Sequence, residues 1–233
     1  MGNILDRLTG ARKPGVIFVH IPKTGGSSIS AALRKHYRLS KFNIKSEVTS
    51  LAAQKRFGMD SAAPGYDEAL QELRLSLIFH EALKNTRSIT GHFWANSNLS
   101  SLKPLGYSII TCLRDPVDRW FSHYLYGRYK EGSHGKIDQD IEDYLQGPEA
   151  AALATTYVRY LGGIREDRDY ASAAAVKAAA DNLDLFDLVG FLQNMNEFRT
   201  RITRLTGFQL HAAHRRKSPA APDQRDRVKG SRD

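Results

Sequence analysis

Gly15-Val-Ile-Phe-Val-His-Ile-Pro-Lys-Thr-Gly-Gly-Ser-Ser28 is the stretch on which the fold turns. Its first six residues are mostly apolar and rich in β-branched side chains, the pattern of a short buried strand. Pro22, Gly25 and Gly26 then break the run, and Ser27 or Ser28 can cap a following helix. Ile29, Leu33 and Tyr37 recur at helical spacing. The chain therefore opens strand, glycine loop, helix.

The same grammar continues outward. Lys41 to Gly65 is polar and weakly patterned, read as loop with short helix, and Tyr66 to Leu83 reads as helix. Ser88 to Trp94 reads as a short strand ending at Gly91-His92. Tyr107-Ser-Ile-Ile-Thr-Cys-Leu113 is a second buried strand, and it runs through Arg114-Asp-Pro116 into a helix beginning near Val117. Further helices are expected over Ile137–Leu145, Glu149–Leu161, Tyr170–Asn182 and Asn194–Leu205, with a strand at Phe186–Phe191. Strands alternating with helices predict an α/β fold: a single domain with a central, mostly parallel sheet flanked by helices, P-loop-like in its nucleotide-binding architecture. Ligands of such sheets sit beyond the carboxyl ends of the strands.

Two segments at strand ends carry the chemistry. In Pro22-Lys-Thr-Gly-Gly-Ser-Ser28 the glycines let the backbone approach an anion, and the helix N-terminus supplies N–H groups and a positive dipole. Lys23 adds a charge; Thr24, Ser27 and Ser28 add hydroxyls. The order is not that of a Walker A loop, where Lys follows the last glycine, because Lys23 precedes Gly25 and Gly26. In Leu113-Arg-Asp-Pro-Val-Asp-Arg-Trp-Phe-Ser122 the planar fork of Arg114 suits a phosphate. Ser122 lies about two helical turns further on. Trp120, Phe121 and Tyr124 read as core.

These two segments, some ninety residues apart, resemble the paired signature of PAPS-dependent carbohydrate sulfotransferases, PAPS being 3′-phosphoadenosine-5′-phosphosulfate. The nearest group is the heparan 2-O-sulfotransferase-like type. The resemblance implies that Lys23, Thr24, Gly25, Gly26, Ser27 and Ser28 bind the 5′-phosphosulfate, and that Arg114 and Ser122 bind the 3′-phosphate. Gly91-His-Phe93 is similar to a family segment whose histidine is the proposed base, which implies a catalytic role for His92 beside Lys23. His20, at the strand end next to the loop, is its competitor and is read as a buried hydrogen-bonding residue. Arg215, Arg216 and Lys217 resemble a basic loop closing over the nucleotide. Thr155-Thr-Tyr-Val-Arg-Tyr-Leu161 departs from the family pattern on the acceptor side.

Composition sets the outer bounds. A chain of 233 residues, 41% hydrophobic and 25% charged, suits one globular unit. We divide it into a sulfotransferase domain over residues 1–211 and a basic segment over 212–233, a possible cover for the nucleotide followed by a flexible tail. Most of the net charge of +9 lies in the last 35 residues: Arg199 to Asp233 holds ten Lys or Arg against three Asp. Such a tail allows peripheral contact with an anionic membrane surface. Its single aromatic, Phe208, argues against a nucleic-acid face. No apolar run reaches the roughly 20 residues of a membrane span, and the residues up to Pro14 lack the apolar core of a secretory signal. Those signs point to a cytoplasmic protein. Cys112 is the only cysteine, so neither an intrachain disulfide nor a cysteine-rich zinc site is available. The expected reaction is in-line transfer of the sulfuryl group from PAPS to an acceptor hydroxyl, that of a carbohydrate or glycoconjugate. It uses a histidine base and no metal, and releases adenosine 3′,5′-bisphosphate. The competing readings are a nucleotide phosphotransferase and a non-enzymatic nucleic-acid-binding protein.

Overall fold

The computed structural model describes residues 14–132, 135–165 and 169–210. Five parallel strands form one sheet: β1 (Gly15–Val19), β2 (Lys41–Ile44), β3 (Ser88–Gly91), β4 (Tyr107–Leu113) and β5 (Leu188–Phe191), in the spatial order β2-β3-β1-β4-β5. Nine α-helices of the described residues connect and cover them: α1 (Gly26–His36), α2 (Ser46–Phe57), α3 (Tyr66–Leu83), α4 (Pro116–Tyr129), α5 (Ile141–Gln146), α6 (Pro148–Ala154), α7 (Thr156–Gly162), α8 (Ala173–Asp181) and α9 (Met195–Thr206).

The sheet is buried on both faces, as parallel sheets must be. Period-two alternation sends Ile17 and Val19 of β1 to one side, where they meet Leu75 and Ile78 of α3, Leu161 of α7 and Ala179 of α8. Val16 and Phe18 point the other way, against Ile29 and Leu33 of α1 and Phe198 and Ile202 of α9. Phe121 and Tyr124 are buried in a satellite cluster with Tyr144 of α5 and Leu153 of α6, and Trp120 packs on it, so these aromatics are core as expected.

Several boundaries differ from the sequence reading. Lys41–Gly65 is an edge strand and a 12-residue helix, β2 and α2. The expected helix over Glu149–Leu161 breaks at Thr155, whose near-zero ψ of 7° ends α6 and starts α7 in a new direction. The expected helix over Ile137–Leu145 begins only at Ile141, capped by the Asp140 carboxylate, which accepts from Asp143 N–H. Residues 97–105 form a 3₁₀ helix that carries no clear pattern in sequence.

β1 is the pivot of the sheet. Val19 is in register with Gly91 of β3 and with Thr111 of β4. The three segments that leave these strands therefore emerge side by side at one edge, at the point where strand order reverses.

Candidate active site

The lysine loop leaves β1 at His20. The His20 N–H still donates to Gly91 O at 2.9 Å, extending the β1–β3 ladder by one residue and holding the start of the loop beside His92. Lys23 then adopts a left-handed backbone, with φ of 69°. That region costs a non-glycine residue of order 1 kcal/mol or more, and such strain gathers where a loop is shaped for a ligand. Gly25 follows with φ of 81° and is the N-cap of α1; no side chain caps this helix, so neither Ser27 nor Ser28 does so as expected. A Cβ on Gly25 would sit 2.5 Å from Leu192 Cδ1. A Cβ on Gly26 would run into the His20 ring and lie 2.9 Å from Phe18 Cζ. Both glycines are thus fixed by space as well as by conformation.

The first turn of α1 contains no acidic residue, and Arg34, Lys35 and His36 occupy its last turn. The dipole is reinforced at the far end and left open at the loop, the arrangement that favours an anion there. Ser27 and Ser28 are half-buried in this first turn. Thr24 behaves differently from its neighbours. Its side chain is fully buried and its hydroxyl donates to Ile21 O at 2.9 Å, so it braces the loop, and what it can offer a ligand is its backbone N–H. Below it, the Cys112 thiol of β4 donates to Thr24 O at 3.3 Å. Burial pushes that thiol up to about 12, so it remains a protonated donor. This bond ties the lysine loop to the strand that leads into Arg114.

His92 follows β3 directly. Its Nδ1 lies 2.5 Å from His20 O, and because a carbonyl only accepts, the proton sits on Nδ1. In the neutral ring Nε2 then carries the lone pair, the form a general base requires. The two imidazoles stack at 4.3 Å, and His20 in turn stacks on Phe18 at 5.5 Å. His20 is half-buried, and its carbonyl is the polar contact between the two residues.

The arginine turn leaves β4 after Leu113. Asp115 caps α4 by accepting from Asp118 N–H at 2.8 Å, and Pro116 occupies the first turn. Arg114 is half-buried at the strand end, and Ser122 is half-buried on α4. The Arg114 N–H donates to Tyr157 Oη at 2.9 Å, and Tyr157 Oη donates to Arg114 O at 2.7 Å. A cleft of about 550 Å³ opens alongside, lined by Arg114, Tyr157, Val158, Phe191, Gln193 and Asn194 among others. Neither the lysine loop nor His92 lines it. The carboxyl edge thus has two compartments, a loop nest and a mostly apolar cleft, with the arginine at the cleft's rim.

Charge is concentrated along α4. Arg119 is 1% exposed; it donates to Leu153 O at 2.5 Å, while its Nε and Nη1 find no partner among the described residues. Burial pulls its pKa down, and Arg114 adds to that effect. One turn on, His123 is lowered to about 4, first by burial and then by Arg119, Lys23, Lys130 and His92. The Lys23 ammonium packs 3.9 Å from the centroid of Tyr126, and Lys130 lies 5.7 Å from the same ring. Arg119, His123, Tyr126 and Lys130 follow one another at three- and four-residue steps and so share a helix face. A positive field of this kind, partly desolvated, favours a bound anion.

Residues 6–218 match the Sulfotransferase family. The chain belongs to that family. This sulfotransferase is accordingly a PAPS-dependent transferase, and the phosphotransferase and non-enzymatic readings give way to sulfuryl transfer. Among solved structures it is similar to shikimate kinase from Bacteroides thetaiotaomicron, at 9% identity with a TM-score of 0.43, over 84% of this chain and 99% of that one. It is also similar to a chain of the PezAT toxin–antitoxin system of Streptococcus pneumoniae, at 14% identity with a TM-score of 0.39, over 78% and 92%. No curated protein compared with the sulfotransferase matches it.

Of the residues named from sequence, Lys23 to Ser28, His92 and Arg114 follow the carboxyl ends of β1, β3 and β4, and Ser122 lies within α4. Arg215, Arg216 and Lys217 lie outside the described residues. Sequence reading missed Tyr126, His123, Arg119 and Tyr157. The first three were signalled by their helical spacing within and just after the second motif. Tyr157 had no such signal, because its partner is 43 residues away. No helix of the described residues is long and apolar enough to cross a membrane.

Proposed function

We propose that the sulfotransferase moves the sulfuryl group of PAPS to a hydroxyl of a carbohydrate or glycoconjugate, as enzymes of the heparan 2-O-sulfotransferase-like type do. The observation that carries the reading is the adjacency of two anion-binding segments on neighbouring parallel strands, bonded to each other through Cys112 and Thr24. A nucleotide with phosphates on both its 5′ and 3′ carbons needs two such sites; ATP needs one continuous site.

In this reading the N–H groups of Gly25 to Ser28, the Ser27 and Ser28 hydroxyls and Lys23 hold the 5′-phosphosulfate. Arg114 and Ser122 hold the 3′-phosphate, and the cleft beside Arg114 takes the adenosine. Its volume lies within the range of small-molecule sites. Transfer is an in-line displacement at sulfur. The acceptor oxygen forms the new S–O bond while the bond to the bridging phosphate oxygen breaks. His92 Nε2 accepts the acceptor's proton, and the resulting imidazolium is stabilised by the bond from Nδ1 to His20 O. Charge growing on the leaving phosphate is met by Lys23 and the helix N-terminus, donors that need no reorganisation. Positioning, rather than covalent chemistry by the protein, supplies most of the acceleration.

The test has two parts. Melting temperature is followed with adenosine 3′,5′-bisphosphate, ATP with magnesium, and a short DNA duplex. Mass spectrometry then follows a panel of carbohydrate, glycolipid and small-molecule hydroxyl acceptors incubated with PAPS. A selective rise with the bisphosphate and an 80-dalton increment on a carbohydrate bear the reading out. Sulfation confined to non-carbohydrate hydroxyls contradicts the acceptor assignment.

A further inference from the structure

We infer that Tyr157 is a positioning residue for the 3′-phosphate grip, acting through the backbone of Arg114; this rests on the proposed reading of Arg114 as a ligand for that phosphate. β4 stops at Leu113, so the next peptide has left the ladder while still at the rim of a buried sheet. Its N–H and C=O need partners. One hydroxyl supplies both: Tyr157 Oη accepts from Arg114 N–H at 2.9 Å and donates to Arg114 O at 2.7 Å. The hydroxyl does for this residue what a neighbouring strand does for those before it. Arg114 Cα is therefore held as rigidly as a strand residue, and the guanidinium is aimed from a fixed base. Near-attack and binding geometries tolerate little displacement of such a base.

The tyrosine is itself held. The Arg119 guanidinium lies 5.4 Å from its ring centroid, anchored by the bond to Leu153 O at the end of α6. Burial raises the Tyr157 pKa, and the bond to Arg114 only partly offsets that, so the hydroxyl keeps its proton and its donor role. Tyr157 also lines the cleft next to Arg114. The break at Thr155, which separates α6 from α7, starts a new helix whose first turn carries this side chain to the end of β4.

Tyr157→Phe keeps the ring and removes both bonds. Calorimetric titration of the full chain with adenosine 3′,5′-bisphosphate and with adenosine 5′-monophosphate gives an affinity ratio that reports the 3′-phosphate alone. The ratio is expected to fall about tenfold in Tyr157→Phe; any effect on the adenosine cleft enters both affinities and divides out, so a general loss of packing would lower both together and leave the ratio unchanged. In an Arg114→Ala background the Tyr157→Phe change is expected to have no further effect on the ratio. An unchanged ratio in Tyr157→Phe overturns the positioning role, provided Arg114→Ala alone lowers it. A ratio that Arg114→Ala leaves unchanged overturns the Arg114 reading and this inference with it.

Discussion

Gly26→Ala adds a single methyl group at the base of the active site, and its effect can be worked from contacts. The new Cβ would lie 2.9 Å from both His20 Nε2 and Phe18 Cζ, and closer still to His20 Cδ2. Phe18 is fully buried between β1 and α1 and has little room to retreat. His20 is half-buried and must give way. Overpacking of this kind typically costs about 1–3 kcal/mol. For a domain of this size that corresponds to a fall in melting temperature of about 2–12 °C. The displacement also reaches the chemistry. The His20 ring is stacked on His92 at 4.3 Å, and the His20 carbonyl holds the His92 proton. A shift of His20 therefore turns His92 out of line, and turnover should fall at least tenfold, a partial loss of the roughly 10²–10⁴-fold that a positioned general base contributes. Scanning calorimetry and a PAPS-dependent transfer assay on the same preparation check both quantities. A variant that melts within a degree of wild type and turns over normally would refute the packing argument.

His92→Ala should fold and bind adenosine 3′,5′-bisphosphate as wild type does, yet lose transfer activity at least tenfold; near-normal turnover would remove His92 from the role. Arg114→Ala should weaken binding of the same bisphosphate by about 10- to 100-fold in calorimetry, the usual worth of a hydrogen-bonded charge pair. His123 gives a pH signature. Its folded pKa of about 4 lies below the ordinary 6.5, so between those values the unfolded chain binds more protons. Its contribution is complete above about pH 6.5 and is lost as pH falls towards 4, on the order of 3 kcal/mol in all. His123→Leu should flatten that part of the profile relative to wild type in urea titrations at a series of pH values; parallel profiles would show that the imidazole does not titrate in this way.

The central strands were plain in the sequence because each is buried on both faces. Val16 to Val19 and Ile109 to Cys112 have no solvent side, so no charged residue interrupts either run, and the one polar member, Thr111, is itself buried. The long helix α3 was legible for the opposite reason, a stripe from Tyr66 through Leu70 to Ile78 with polar residues between. β2 and α2 were obscure because they form the margin of the molecule. Val48 and Leu51 of α2 are exposed while Thr49 and Ala53 are buried, which inverts the expected stripe. The break at Thr155 carries neither Gly nor Pro and is set by tertiary packing. In the site, glycines and charges at strand ends were readable locally. The cation–π contact of Lys23 with Tyr126, the brace from Cys112 to Thr24 and the clamp of Tyr157 on Arg114 join residues far apart in the chain, and no local pattern encodes them. The left-handed backbone of Lys23 was also hidden, since that conformation is ordinarily left to glycine.

A crystal structure of the sulfotransferase with adenosine 3′,5′-bisphosphate tests the two-site arrangement most directly. The account predicts the 5′-phosphate within hydrogen-bonding distance of the backbone N–H groups of Gly25 to Ser28 and the 3′-phosphate against the Arg114 guanidinium. The base should lie in the cleft beside Tyr157. A nucleotide bound with both phosphates on one segment, or away from the carboxyl edge of β1 and β4, would contradict it.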